Sequence, residues 1–388
     1  MRGAAGALIV LDFSFTPAQE EYRARLRAFA LAELLPGYTE RDAEGRYPYE
    51  QVRAVLRFAA EFWRGREAER DLVVSGITAE EVARGDFNCV LPSLGPALQR
   101  EFLAEASPAL RDRWVAPLLA GDAVIGLCLT EPAAGSDMGG MQTRADRRGD
   151  VWVLNGEKNS VSFLNADVFY VFARTDPASR DWRGLSAFLV PRDTPGLAFE
   201  RYDDMGCRSV PRGILRLTDV AVPASSLVGT PGGAFPMIRR FFDVNRAFIG
   251  LKCLGAARQT LDETIAHVTG RVQFDAPLAT FQGVAFPMAE AATHLELARW
   301  QCYRVLWMRE HDIPCATEAA MVKWWAPKVA AEAVHQCLIL HGHLGYTRRL
   351  PIEQRLRDVL GWQIGDGTPQ IQKLIVARAL LGKGAGVR

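Results

Sequence analysis

The stretch LCLTEPAAGSDMGGMQTRADRRGDVWVLNGEK, residues 127 to 158, is where the pattern of the chain changes. Upstream of it, apolar residues recur at helical spacing. Within it, glycines and Pro132 crowd a short loop, and VWVLNG then reads as a strand. The loop gathers Thr130, Glu131, Ser136 and Asp137 at the entrance to a β segment. Small hydroxyls and bare glycine amides can meet a phosphate or a flavin edge that bulky side chains would block. An ordinary polar turn is the commoner use of the same composition.

Working outward, Thr16 to about Ala123 is mainly helical in pattern. TPAQEEYRARLRAFALAELL opens with a Thr cap, Pro at the first helical position and acidic residues in the first turn. FWRGREAERDLVVSG reads as a polar connection between short helices, and the GKGAG tail as a frayed terminus. From Val124 to Val228 the runs VWVLNG, DVFYVFART, LSAFLVP and GILRLTDVAVP alternate with turn residues, which predicts a compact β domain. After TPGGAF the helical period returns. Phe241, Val244, Phe248, Leu251, Leu254, Ala257, Leu261 and Ile265 form a stripe that predicts a long amphipathic helix ending near Gly270. Later segments are long enough to pack as an antiparallel bundle. The expected fold class is α+β, divided into residues 11–123 (helical), 124–234 (β) and 235–388 (helical bundle).

The composition narrows the function classes. A formal net charge of +1 without long runs of one sign argues against a nucleic-acid surface or a polybasic anchor. Seven scattered cysteines, never as C-x-x-C, point to reduced thiols and an intracellular, cytoplasmic setting. The apolar opening run stops at Asp12 without a convincing cleavage site, and no stretch reaches the ~18 apolar residues of a membrane span.

Metal chemistry has little support: there is no H-E-x-x-H, and the HGH at His341 to His343 lacks a companion ligand. G-x-S-x-G and the usual dinucleotide and P-loop fingerprints are absent too. Three places remain. Arg271 and Gln273 follow the long helix, where a cation caps carbonyls or reaches a phosphate. Asp243 and Arg246 are three apart on one helix face, most simply as a surface ion pair. In GWQIGDGTPQIQK, residues 361 to 373, Thr368 and Pro369 suit an N-cap and first helical residue. Asp366 then lies just outside a helix N-terminus, where the dipole favours its charged form and burial its neutral form. A general base needs such tuning, and many turn aspartates have it as well.

Taken together, these segments resemble the acyl-CoA dehydrogenase family. The resemblance rests on LTEPAAGSDMGGMQTRADRRGDVWVLNGEK, MGCRSVPRGILRLTDVAVP, RVQF with FQGV, RLRDV and GDGTPQIQKLIVAR, in the family's order. It implies an N-terminal helical domain, a middle β domain and a C-terminal four-helix bundle, with FAD bound at a dimer interface and a dimer or tetramer overall. Leu127, Leu129, Thr130 and Ser136 would line the flavin, and Ser160, Val161 and Ser162 would continue that wall. Arg271 and Gln282 would reach the FAD of the neighbouring subunit. Phe274, Ile339, Gly342, His343, Thr368 and Gln370 fall at further cofactor positions. Ser136, Asp243, Arg246 and Gly367 would contact the acyl-CoA thioester. The implied reaction removes an α proton to a carboxylate while hydride leaves the β carbon for flavin N5, with an electron-transfer flavoprotein as acceptor.

Three departures sharpen this. The family's usual glutamate is Asp366, shorter by one C–C bond, about 1.5 Å. The long-helix position where some members carry the glutamate is Asn245, so Asp366 is the surviving candidate base. An aromatic of the flavin wall is replaced by Ser160, and FWRGREAERDLVVSGITAEE lacks a Gly-rich loop that frames the acyl pocket. The sequence around Asp366 is most similar to the branch acting on cyclohexane-carboxyl-CoA, implying a cyclic or α-branched acyl group. Asp86 is a second acid to consider, though a helix-face aspartate is the simpler reading. Nitroalkane oxidases on the same fold also use an aspartate base. A carrier-protein-linked dehydrogenase or a degenerate binding subunit would carry the same segments.

Overall fold

Thr16 begins the first helix as its sequence predicts. Its hydroxyl accepts the Gln19 N–H at 3.2 Å while the Gln19 side chain accepts the Thr16 N–H at 3.0 Å, closing a capping box. The computed structural model describes residues 14–66, 71–94, 103–382 and residue 386. The opening run before Ser14 and most of the GKGAG tail lie outside the described residues. Helix α1 (Pro17–Phe29) passes through one wide turn (Ala30–Leu34) and is followed by α2 (Tyr38–Glu44), α3 (Tyr49–Phe62), α4 (Leu72–Gly85), α5 (Val90–Ser93) and α6 (Pro108–Ala120).

Helix α4 corrects the expectation of a polar connection. Residues 67–70 of that stretch lie outside the described residues, while LVVSG forms the first turns of the helix, capped by Asp71 accepting the Val74 N–H at 2.8 Å. The helix is buried on almost every side, so it has no polar face to mark it in sequence. Its polar residues are neutralised in place: Glu81 pairs with Arg27 at 2.7 Å and Glu80 with Arg299 at 2.7 Å.

The middle domain is an eight-stranded sheet of β1 (Ile125–Cys128), β2 (Arg144–Arg148), β3 (Val151–Ser162), β4 (Val168–Arg174), β5 (Leu185–Pro191), β6 (Leu197–Arg201), β7 (Arg212–Pro223) and β8 (Leu227–Val228). Their order is β6-β7-β3-β2-β4-β5-β8, with β1 beside β4 and parallel to it. Trp152, Leu154, Phe169, Phe188 and Leu215 form part of its core.

Beyond it come α7 (Ala234–Gly270), a small hairpin of β9 (Val272–Gln273) and β10 (Ala276–Pro277), then α8 (Gln282–Glu310), α9 (Ala316–Leu340), α10 (Ile352–Ile364) and α11 (Pro369–Leu381). The predicted stripe on α7 is buried except for its end at Ile265. The helix is not amphipathic in its middle, however, since every residue from Val244 to Ala257 is buried. It is the central rod of the molecule, covered by α4 on one side and by α8 and α9 on others. Gly255 permits the closest crossing, because a Cβ there would lie 2.1 Å from the Glu80 carbonyl oxygen on α4. Among the described residues, no helix is long and apolar enough to cross a membrane.

Candidate active site

Asp366 sits in the turn between α10 and α11 in the left-handed backbone region, φ 55°, between Gly365 and Gly367. Aspartate tolerates this conformation better than most side chains. Thr368 caps the helix that follows, accepting the Ile371 N–H at 3.5 Å. The turn is held from below by two side chains. Lys323 of α9 donates to the Trp362 and Gly367 carbonyls at 2.8 and 3.2 Å, and Gln372 donates to the Gly367 carbonyl at 3.3 Å. Gly367 has φ 103°, and a Cβ there would lie 2.2 Å from Gln372 Nε2.

The carboxylate of Asp366 meets α7. Asn245 Nδ2 donates to Oδ2 at 2.7 Å, leaving Oδ1 without a bond among the described residues. Burial raises the Asp366 carboxyl above the ordinary aspartate range, and Lys323, Arg246, Lys252 and the Asn245 bond pull it back in part. Burial likewise lowers Lys323 to about 8, with Asp366 the main group holding it up. The peptide N–H of Asp366 has no acceptor among the described residues.

Asp243 and Arg246, expected as a surface pair, are largely buried and flank Asn245 within the same helical turn. Their 3.4 Å contact leaves Arg246 Nε without a partner. Burial raises the Asp243 carboxyl and lowers the Arg246 guanidinium. Asp86 is not a helix-face residue either: it ends α4, is buried, accepts the Asn88 N–H and pairs with Arg41 at 2.8 Å. It is therefore engaged structurally by Arg41 and Asn88.

The other half of the predicted site is on the sheet. Leu127 and Leu129 are half-buried on the same side of β1, with Cys128 in the core between them. The loop after β1 is locked to β3 by a buried ion pair, Lys158 Nζ to Glu131 Oε1 at 2.7 Å. Glu131 also accepts the Gln142 and Thr143 N–H groups at 2.6 and 3.0 Å, and Asn159 N–H donates to the Thr130 carbonyl at 2.8 Å. Burial lowers Lys158 to about 8 against the pull of Glu131. The pairing of β3 with β7 shifts between Lys158 and Val161, and this bulge turns Ser160 outward with φ 53°. The hydroxyls of Thr130, Ser136, Ser160 and Ser162 make no hydrogen bond among the described residues. Such unengaged donors beside an apolar strand face fit a flavin edge. The Val161 side chain is in the core, so only its backbone reaches this wall.

Arg271, Phe274 and Gln282 are exposed, and the Arg271 guanidinium makes no bond among the described residues, contrary to carbonyl capping. His267 stacks on His341 with ring centroids 4.3 Å apart, which brings exposed Gly342 and His343 to the same end of the bundle, beside exposed Ile339. That end is remote from Asp366. Gly270 closes α7 25 residues beyond Asn245, about 38 Å at 1.5 Å per residue. Thr368 and exposed Gln370 remain with Asp366.

A buried carboxylate beside a free N–H in the helical bundle, and unengaged hydroxyls beside an apolar strand in the sheet, are the two parts that a flavin-dependent oxidoreductase of activated acyl groups would need. The acyl-CoA dehydrogenase N-terminal, middle and C-terminal domains match residues 16–122, 126–220 and 232–381. The chain belongs to the acyl-CoA dehydrogenase family. It is 32% identical over 385 residues to the probable acyl-CoA dehydrogenase YngJ of Bacillus subtilis, covering 96% of this chain and 100% of that protein. It is 34% identical over 367 residues to the mitochondrial short-chain specific acyl-CoA dehydrogenase of Bos taurus, covering 92% and 89%. The structure of butyryl-CoA dehydrogenase from Megasphaera elsdenii superposes with a TM-score of 0.89 at 28% identity, covering 96% of this chain and 100% of that one.

The protein is thus an FAD-dependent oxidoreductase acting on CH–CH donors, of acyl-CoA dehydrogenase type. FAD, when bound, supplies the hydride acceptor. Asn245, Lys323 and Lys252 escaped sequence reasoning as site residues. Lys323 in the apolar run AAMVKWWAP and Lys252 in AFIGLKCLGAA, each an isolated cation, were visible signals.

Proposed function

We propose that Asp366 is the α-proton base for α,β-dehydrogenation of an acyl-CoA thioester whose acyl group is cyclic or α-branched. The observation that carries this is the single Asp366 residue offering both an unengaged carboxylate oxygen and an unengaged peptide N–H. Oδ1 takes the α proton, and the N–H donates to the thioester oxygen as negative charge develops there. The adjoining Gly365 favours a bulky acyl group, since a Cβ added there would meet nothing nearer than 3.7 Å. Ser136, Asp243, Arg246 and Gly367 bind the thioester and its CoA portion.

Leu127, Leu129, Thr130, Ser136, Ser160, the Val161 backbone and Ser162 bind FAD together with Thr368 and Gln370. Arg271, Phe274, Gln282, Ile339, Gly342 and His343 serve the FAD of a neighbouring subunit, consistent with their distance from Asp366 in one chain. The working form is a cytoplasmic homodimer or homotetramer, and an electron-transfer flavoprotein reoxidises it. Anaerobic titration with cyclohexane-carboxyl-CoA, 2-methylbutyryl-CoA, butyryl-CoA and a nitroalkane tests the reading. Bleaching by the cyclic or branched thioesters ahead of butyryl-CoA supports it. Bleaching by the nitroalkane alone overturns it.

A further inference from the structure

Lys252 is a second buried cation near Asp366, and no carboxylate among the described residues forms an ion pair with it. It lies on α7, is only 2% exposed, and makes no hydrogen bond or ion pair among the described residues. Its ammonium instead faces two rings, 3.8 Å from the Trp362 centroid and 4.2 Å from the Phe87 centroid. Ring faces attract a cation but do not accept its N–H groups as water would. The nearby carboxylates are committed elsewhere. Asp358 binds the Tyr38 hydroxyl at 2.7 Å, Asn88 Nδ2 at 3.2 Å and the Cys207 N–H. Asp86 pairs with Arg41, and Asp366, whose charge Lys252 senses without a direct bond, is tied to Asn245 through Oδ2 and keeps Oδ1 for the α proton.

The position of Lys252 relates it to the base. Asn245 and Lys252 are seven apart and share one face of α7, roughly 10.5 Å along its axis. Lysine side chains on a helix lean toward its N-terminus, here toward Asn245. Trp362 bridges the same two points from α10: its ring lies 3.7 Å from where a Gly365 Cβ would stand, and Lys252 packs on it. Asp366, Gly365, Trp362, Phe87 and Lys252 therefore follow one another away from the base. On the proposed role of Asp366, an acyl group with its α carbon there would extend along this line.

We infer that Lys252 is the counter-ion for a carboxylate at the far end of the acyl group, making the preferred substrate a monothioester of a dicarboxylic acid. This rests on the assignment of Asp366 as base. Matched pairs separate the two claims: adipyl-CoA against hexanoyl-CoA, and 4-carboxycyclohexane-carboxyl-CoA against cyclohexane-carboxyl-CoA, each followed by anaerobic flavin reduction in the holoenzyme. The expected result is a preference in kcat/KM for the carboxylated member of a pair, carried mainly by KM. Lys252→Met should lower that preference about a hundredfold, the scale of leaving a buried charge unpaired. Lys252→Gln, which keeps a donor without the charge, should lower it similarly. Equal or better reduction of the uncharged members by the wild-type enzyme overturns the role of Lys252, whether or not the variants fold, while leaving Asp366 as base. A preference that survives in both variants overturns it too. If no thioester reduces the flavin, the assignment of Asp366 falls and this inference with it.

Discussion

As the proposed base, Asp366 would work at the end of a short tether, held by its neighbours. Asn245 fixes one carboxylate oxygen at 2.7 Å, so the other is presented in one direction. Because burial raises the Asp366 pKa, the base is protonated and inactive at low pH, and kcat/KM should fall as pH drops through a value above that of an ordinary aspartate. Asn245→Ala removes a donor that stabilises the anion. The acid limb of the pH profile should then move to higher pH, with kcat/KM down about tenfold at neutral pH, on the scale of one hydrogen bond to a charged group. An unmoved limb in stopped-flow reduction would show that Asn245 does not act on the base. Asp366 and its Thr368 cap were readable because cap, proline and glycine are adjacent in sequence. Asn245 was readable only as a missing glutamate, since its contact spans 121 residues.

At the scale of elements, the proposed flavin wall is braced by one buried cation. Lys158 ties the loop after β1 to β3 through Glu131. Lys158→Met leaves Glu131 buried without its partner, a loss of about 3–5 kcal/mol. The expected outcome is a lower Tm and FAD lost on gel filtration. Retained FAD with an unchanged Tm would contradict the account. The α4–α7 crossing makes a second test. Gly255→Leu should prevent soluble expression or sharply lower Tm, because even a Cβ meets the Glu80 carbonyl at 2.1 Å. The strands were legible in sequence because the sheet alternates apolar runs with turn residues. Helix α4 was not, because burial on every side erases the period, and its charges are matched by Arg27 and Arg299 from distant helices. The middle of α7 lost its predicted polar face for the same reason.

At the scale of the molecule, Asp366 and Arg271 lie far apart along α7, so on the proposed reading the complete flavin site needs a second copy. The apolar residues that a lone chain exposes around this end support the same assembly: Phe274 is 91% exposed and Phe286 58%. Arg271→Ala is expected to weaken FAD retention while the oligomer, read by light scattering, persists. A monomeric wild-type holoenzyme with full FAD occupancy would contradict the shared site. The three-part architecture was legible from the two changes of period near Val124 and after Val228. The assembly was not, because exposed residues such as Arg271 and Phe274 carry no periodicity to show what they meet.

The central claim, that Asp366 removes the α proton, is tested most directly by Asp366→Asn. The two side chains have nearly the same size, so the variant should fold and hold FAD. Its anaerobic flavin reduction by the best wild-type thioester substrate should be slower by at least about a hundredfold, the lower end for loss of a general base. Reduction at the wild-type rate would contradict the account.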